Sequence, residues 1–215
     1  MTSRAVLFDF DGTLADTAAD LAAALNRMRT ERAMAPLPAA AVRPYASMGA
    51  RGLVRIGFGV TPEDSSYGVM REEFLRNYAE AICVHTRLFD GMERLLTALR
   101  RKALAWGIVT NKSMRFTERL VPALGLAPDC VVGGDSTPHL KPHPASLLLA
   151  AEKLRLPPAD CVYVGDDLRD IQAARAAGMR CVAVEYGYHG VDNPGPRAWN
   201  ADAVISRPEQ LLEHL

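Results

Sequence analysis

Ala5-Val6-Leu7-Phe8-Asp9-Phe10-Asp11-Gly12-Thr13 sets the fold expected of this chain. Residues 5–10 form a short apolar run with the character of a buried strand, and two carboxylates arrive where it ends. Strand side chains alternate faces, so Asp9 and Asp11 point one way while Phe10 points the other. The carboxyl end of a strand is where open α/β sheets bind their ligands. Gly12 permits a sharp exit, and Thr13 offers a hydroxyl and a backbone N–H to an anion. Two carboxylates this close repel unless a cation or a shared proton intervenes. Taken alone, the motif also reads as a helix start with Asp11 as its cap.

Working outward, further apolar runs occupy residues 104–110, 130–132, 161–164 and 181–184, with a weaker one at 203–205. From residue 104 onward amphipathic stretches alternate with them, at 116–124, 145–154 and 170–177. That alternation predicts an α/β fold with a parallel sheet covered by helices on both faces. Residues 16–84 break the rhythm, with helical periodicity and no intervening strand. Leu21, Leu25 and Met28 recur on one face, and Val69, Phe74, Leu75 and Tyr78 on another. Pro36, Pro38 and Pro44 punctuate the stretch. The expectation is a core of residues 1–15 and 85–215 with a small all-helical insertion, residues 16–84, placed after the first strand. Residues 187–200, rich in Gly, Pro and Asn, predict a long loop.

Each later strand ends in polar residues. Val109-Thr110-Asn111-Lys112 presents a hydroxyl and backbone N–H groups suited to a phosphate oxygen, or to plain helix capping. In Leu140-Lys141-Pro142-His143-Pro144 the prolines stiffen the backbone that aims Lys141. Gly165-Asp166-Asp167-Leu168-Arg169-Asp170 places three carboxylates at a strand-to-helix turn, a hard-oxygen set of the kind Mg²⁺ accepts. Asp166 comes first off the strand as the direct ligand, and Asp170 follows one turn later, able to hold a metal-bound water. The same run also suits a solvated helix start.

Composition narrows the function. The 25 basic residues equal the 25 acidic ones, so no global field holds nucleic acid or an anionic membrane. Only four of the basic residues are lysines, Lys102, Lys112, Lys141 and Lys153, which draws attention to Lys141. Cys83, Cys130, Cys161 and Cys181 are too far apart for a zinc knuckle or a CxxC pair, and Cys161 and Cys181 read as buried free thiols. No apolar stretch reaches the roughly 20 residues of a membrane span. A cytoplasmic protein working on a small molecule, as a monomer or weak homodimer, is expected.

The four clusters Asp9-x-Asp11-Gly12-Thr13, Thr110-Asn111, Lys141-Pro142 and Gly165-Asp166-Asp167-x-x-Asp170 resemble, in order and spacing, the haloacid dehalogenase superfamily of phosphohydrolases. The resemblance implies a Rossmann-like core with the family's small cap at its first insertion point. It implies Asp9 as nucleophile, Asp11 as acid and base, and Thr110, Asn111 and Lys141 on the phosphoryl oxygens. Mg²⁺ would be held by Asp9, the Asp11 carbonyl and Asp166, with Asp170 acting through water. Asp11 sets phosphatases apart from dehalogenases, whose halide leaving group needs no acid. Within the superfamily the chain is most similar to phosphoglycolate phosphatases. Residues 85–92 and 106–112 look closer to bacterial N-acetylmuramic acid 6-phosphate phosphatases. A phosphosugar mutase and a non-catalytic phospho-metabolite sensor are the rival readings. Arg51 is the candidate reader of a substrate carboxylate, beside Arg55, with Tyr45, Asn26 and His85 behind it. Tyr186 and Tyr188 are expected to line the entrance or simply to pack.

Overall fold

Strand β1 (Ala5–Phe8) lies inside a parallel sheet, pairing with two neighbours that come much later in the chain. A computed structural model describes residues 3–191 and 193–215. After β1 come the two-residue strand β2 (Ala15–Asp16) and four helices: α1 (Ala18–Glu31), α2 (Ala39–Val42), α3 (Gly49–Phe58) and α4 (Tyr67–Glu80). Strand β3 (Arg87–Leu88) then returns antiparallel to β2, so one narrow ribbon carries both connections to these helices. The remainder alternates: α5 (Met92–Arg101), β4 (Ala105–Val109), α6 (Met114–Ala123), β5 (Cys130–Val132), α7 (Ala145–Leu154), β6 (Cys161–Gly165), α8 (Leu168–Ala176), β7 (Arg180–Val184) and β8 (Ala203–Ile205).

The main sheet has the order β5-β4-β1-β6-β7-β8, parallel throughout, with Phe8 level with Ile108 on one side and Val164 on the other. Beyond β1 the chain builds outward through β4 and β5, then crosses back to start β6 on β1's other flank. The crevice where that reversal occurs, at the carboxyl ends of β1, β4 and β6, is the ligand position of this architecture. Both faces of β1 are buried. Val6 and Phe8 pack with Leu95 and Leu99 of α5 and Leu120 of α6, whereas Ala5 and Leu7 pack with Leu147 of α7 and Ile171 of α8. Double-sided burial is why these strands read as continuous apolar runs rather than alternating ones.

Two expectations need correction. Strand β1 stops at Phe8, so Asp9 stands just past it, tied to the sheet by its N–H donating to the Val164 carbonyl at 2.9 Å. Val69 is exposed and does not share the buried face of Phe74, Leu75 and Tyr78. Five residues at about 100° each carry it far from Phe74 around the helix. The stretch 187–200 is largely irregular, with a single 3-10 turn at Pro196–Ala198; Asp192 within it lies outside the described residues. All four cysteines are free, and Cys130, Cys161 and Cys181 are buried. Among the described residues no helix is long and apolar enough to cross a membrane.

Candidate active site

After Asp9 the chain turns sharply, with the N–H groups of Leu14 and Ala15 both donating to the Phe10 carbonyl. Gly12 makes the turn at a φ of +87°, and a Cβ there would sit 2.2 Å from the Asp166 carboxylate. Only glycine allows β1's exit loop to lie against the end of β6 in this way. Gly187 closes in from the other side, where a Cβ would lie 2.2 Å from that of Asp166. Asp166 is thereby sealed at 0% exposure.

The carboxylates gather as a result. Asp9, Asp166 and Asp170 offer oxygens that all lie within 4.8 Å of one another. Burial first, then the charges of Asp9 and Asp170, push the Asp166 carboxyl well above the usual carboxylate range. Without a cation this acid therefore resists ionising. One oxygen of Asp9 is buried and makes no hydrogen bond among the described residues; the ammonium of Lys141 is 2.9 Å from it, but off line. An all-oxygen donor set with more carboxylates than cations around it fits a hard divalent cation such as Mg²⁺.

Lys141 is the buried counter-charge. Its Nζ donates to Asp170 Oδ1 at 2.7 Å, to the Tyr163 hydroxyl at 2.7 Å and to the Val109 carbonyl at 3.1 Å. Burial pulls the ammonium's pKa down, but Asp170 and then Asp9 outweigh it, and the net shift is upward. The Lys141–Pro142 peptide is cis. Asn111 clamps the backbone of Lys141 at two points, its Oδ1 accepting from the Lys141 N–H at 2.9 Å and its Nδ2 donating to the carbonyl at 3.1 Å. Asp170 has donors on both oxygens, Lys141 on one and the Asp167 N–H on the other at 3.0 Å. Its first partner is thus Lys141. Burial raises its carboxyl to about 6, against the opposing pull of Lys141.

Several side chains have roles other than those read from the sequence. The Thr13 hydroxyl, expected on an anion, donates instead to Asp166 Oδ1 at 3.0 Å and is fully buried. The Thr110 N–H is spent on the Val132 carbonyl, but its hydroxyl accepts from the Lys112 N–H at 3.2 Å and keeps its own proton to donate into the cavity it lines. The Asn111 side chain is a clamp on Lys141. Asn26 holds the Leu37 backbone through both amide atoms and does not face the site. Arg51 lines the cavity; Arg55, Tyr45 and His85 do not. Tyr186 packs on Phe89 with ring centroids 4.9 Å apart. The Tyr188 hydroxyl accepts from the N–H groups of Thr17 and Ala18, capping α1 from across the fold.

Two basic residues were not singled out by sequence. Lys112 places its Nζ 2.9 and 3.0 Å from the two carboxylate oxygens of Asp11. Arg169 grips Asp167 through two nitrogens and donates to the Ser47 carbonyl of the helical insertion at 2.7 Å. Scarcity of lysine was the available signal for Lys112, since it and Lys141 are both buried in ion pairs here. Lys112, Asp167, Arg169 and Asp170 border one cavity of about 910 Å³, with Asp9, Asp11, Thr110 and Lys141 also on its core side. Ser47, Arg51, Arg71 and Tyr78 lie on the insertion side.

Comparison with known proteins agrees with this geometry. The family model described as haloacid dehalogenase-like hydrolase matches residues 6–184. The chain is 44% identical over 214 residues to the N-acetylmuramic acid 6-phosphate phosphatase of Pseudomonas putida, covering 98% of this chain and 95% of that one. It is 42% identical over 212 residues to a phosphoglycolate phosphatase of Xanthomonas campestris pv. campestris, with the same coverage of 98% and 95%. The crystal structure of a predicted phosphoglycolate phosphatase from Haemophilus somnus superposes with a TM-score of 0.87 at 25% identity, over 100% of this chain and 98% of that one. The chain belongs to the haloacid dehalogenase-like hydrolases and, within them, to the phosphatases.

Proposed function

We propose that this chain is a magnesium-dependent phosphomonoesterase that passes the phosphoryl group through Asp9. The observation that carries the proposal is the meeting of Asp9, Asp166 and Asp170 with the Lys141 ammonium, with Asp9, Asp170 and Lys141 lining the cavity. An oxygen of Asp9 attacks phosphorus, the new O–P bond forms, and the bond to the leaving oxygen breaks. Asp11 gives a proton to that leaving oxygen. It then takes one from the water that attacks the acyl phosphate, releasing inorganic phosphate and restoring Asp9. Lys141 and the Thr110 hydroxyl hold phosphoryl oxygens during both transfers. Asp9, the Asp11 carbonyl and Asp166 would hold Mg²⁺, which when bound would neutralise the charge that two anions bring together. Asp170 and Asn111 keep Lys141 aimed, and Thr13 keeps Asp166 in place.

The leaving group is proposed to be the sugar acid of N-acetylmuramic acid 6-phosphate in preference to glycolate. Both substrates named among the relatives carry a carboxylate, for which Arg51, Arg71 and Arg115 border the cavity. A volume of about 910 Å³ suits the larger one. Steady-state kinetics on both esters, with Mg²⁺ and with a chelator, tests this. The expected result is a higher kcat/KM for the sugar acid, dependent on the metal and reduced by several powers of ten in Asp9→Asn. An Asp9→Asn variant retaining more than about a hundredth of the activity overturns the route through Asp9. A higher kcat/KM for phosphoglycolate overturns the choice of leaving group.

A further inference from the structure

Asp11 is held far more firmly than proton transfer alone requires. Lys112 reaches both of its oxygens, at 2.9 and 3.0 Å, and the Thr17 hydroxyl donates to Oδ1 at 2.5 Å. The Thr17 backbone is in turn fixed by the Tyr188 hydroxyl at 2.7 Å. The carboxylate plane is therefore set from two sides. Thr17 stands at the start of the helical insertion, while Lys112 stands 101 residues from Asp11 on the turn after β4.

A lysine side chain is long and has many rotamers, so holding it in one costs entropy. Here the hold comes from the insertion. Tyr78 of α4 lays its ring over the ammonium, 4.8 Å from Nζ to the centroid, in a cation–π contact. Tyr78 is only 1% exposed, and its ring meets Phe116 of core helix α6 edge-on at 5.3 Å. The Lys112 side chain is left 7% exposed. Displacing α4 would open Lys112 to water and loosen its grip on Asp11.

We infer that Lys112 is a positioning residue for the acid–base carboxylate, and that it ties the orientation of Asp11 to the seating of α4 through Tyr78. The inference rests on the proposed role of Asp11, and it adds that proton delivery is competent only when the insertion is packed on the core. Lys112 itself transfers no proton and does not hold the phosphoryl group.

Leaving-group chemistry separates this role from charge attraction for phosphate or from plain structural support. An alkoxide departs with difficulty unless it is protonated, whereas p-nitrophenolate leaves unaided. The test compares Lys112→Met with wild type in single turnovers, enzyme in excess, following release of the alcohol from N-acetylmuramic acid 6-phosphate and of p-nitrophenolate from p-nitrophenyl phosphate. The expected result is a loss of roughly 100-fold for the alkyl ester, the low end of what general acid catalysis contributes. Release of p-nitrophenolate should change by less than about 3-fold, since it needs little of that contribution. Lys112→Arg should recover most of the alkyl rate, and Tyr78→Leu should show the same selective loss in weaker form. Equal losses on both esters, or none on either, overturn the inference, as does a Tyr78→Leu variant that slows both esters alike. Should Lys112→Met fail to fold, Lys112→Gln carries the same comparison. Failure of the underlying reading is visible separately, as an Asp11→Asn variant that keeps the wild-type rate on the alkyl ester.

Discussion

Replacing Lys141 by methionine removes the one ammonium between Asp9 and Asp170 while roughly keeping the volume of the side chain. Its Nζ stands 2.9 Å from Asp9 and 2.7 Å from Asp170, with 2% of the side chain exposed. At an effective dielectric constant of about 20, each contact is worth roughly 6 kcal/mol of Coulomb attraction. The desolvation of a buried ammonium, several kcal/mol, offsets part of that, and breaking buried pairs typically leaves a net loss of about 3–5 kcal/mol. The pH dependence has a definite sign. Asp166 already lies well above the ordinary range and Asp170 at about 6, and removing the cation that holds Asp170 down pushes Asp170 further up. In the unfolded chain these acids ionise near pH 4, roughly. A group with a raised folded pKa keeps its full contribution below the unfolded value and loses it as pH rises through the folded one. Variant and wild type share one unfolded state, so the gap stays small below about pH 6, opens as pH rises through the wild-type Asp170 value, and is wider at pH 8 than at pH 5. Urea unfolding with a chelator present, followed by tryptophan fluorescence, reads this directly. A difference under about 1 kcal/mol at pH 8, against the expected 3–5, or a gap that narrows as pH rises, refutes the reasoning.

Magnesium at about 100 times its dissociation constant should add about 2.7 kcal/mol, or roughly 5–10 °C in Tm for a chain of this size. Because Asp166 must shed a proton to bind it, differential scanning fluorimetry should show a larger gain at pH 8 than at pH 5, and no gain in Asp166→Asn. Gly187→Ala forces a Cβ to within 2.2 Å of the Asp166 Cβ and 2.6 Å of the Gly12 carbonyl. It should cost about 1–3 kcal/mol in urea unfolding and reduce the magnesium response. Arg169→Met frees the Ser47 carbonyl from its 2.7 Å partner. Loss of a charged hydrogen bond of about 1.5–3 kcal/mol should raise KM roughly 10-fold while kcat changes little, and a kcat-only effect would count against this role.

Strands buried on both faces left unbroken apolar runs, and for that reason β6 and β7 lie within one residue of the runs expected of them, 161–164 and 181–184. Ends are less legible, because hydrogen bonding and not hydrophobicity decides them. Phe10 is as buried as Phe8, yet it belongs to the turn. Polar residue types were visible at the strand ends, but their duties were not. The Thr13 hydroxyl and the Asn111 amide use the same atoms whether they hold an anion or brace a neighbour, and only distances show that they brace Asp166 and Lys141. Lys112 is not marked out by its local sequence because its partner is 101 residues away. Val69 misled because apolar character alone does not give angular position on a helix.

The paired strands Ala15–Asp16 and Arg87–Leu88 have an evolutionary corollary. Adjacent strands run roughly 4.8 Å apart, so the chain leaves the sheet domain and re-enters it through nearly the same point. A turn of a few residues would bridge that gap. Everything between the two crossings can be lengthened or exchanged as a cassette without changing the register of any strand in the main sheet, and a lineage can thereby trade one substrate for another while the carboxylates gathered at the sheet's end stay where they are.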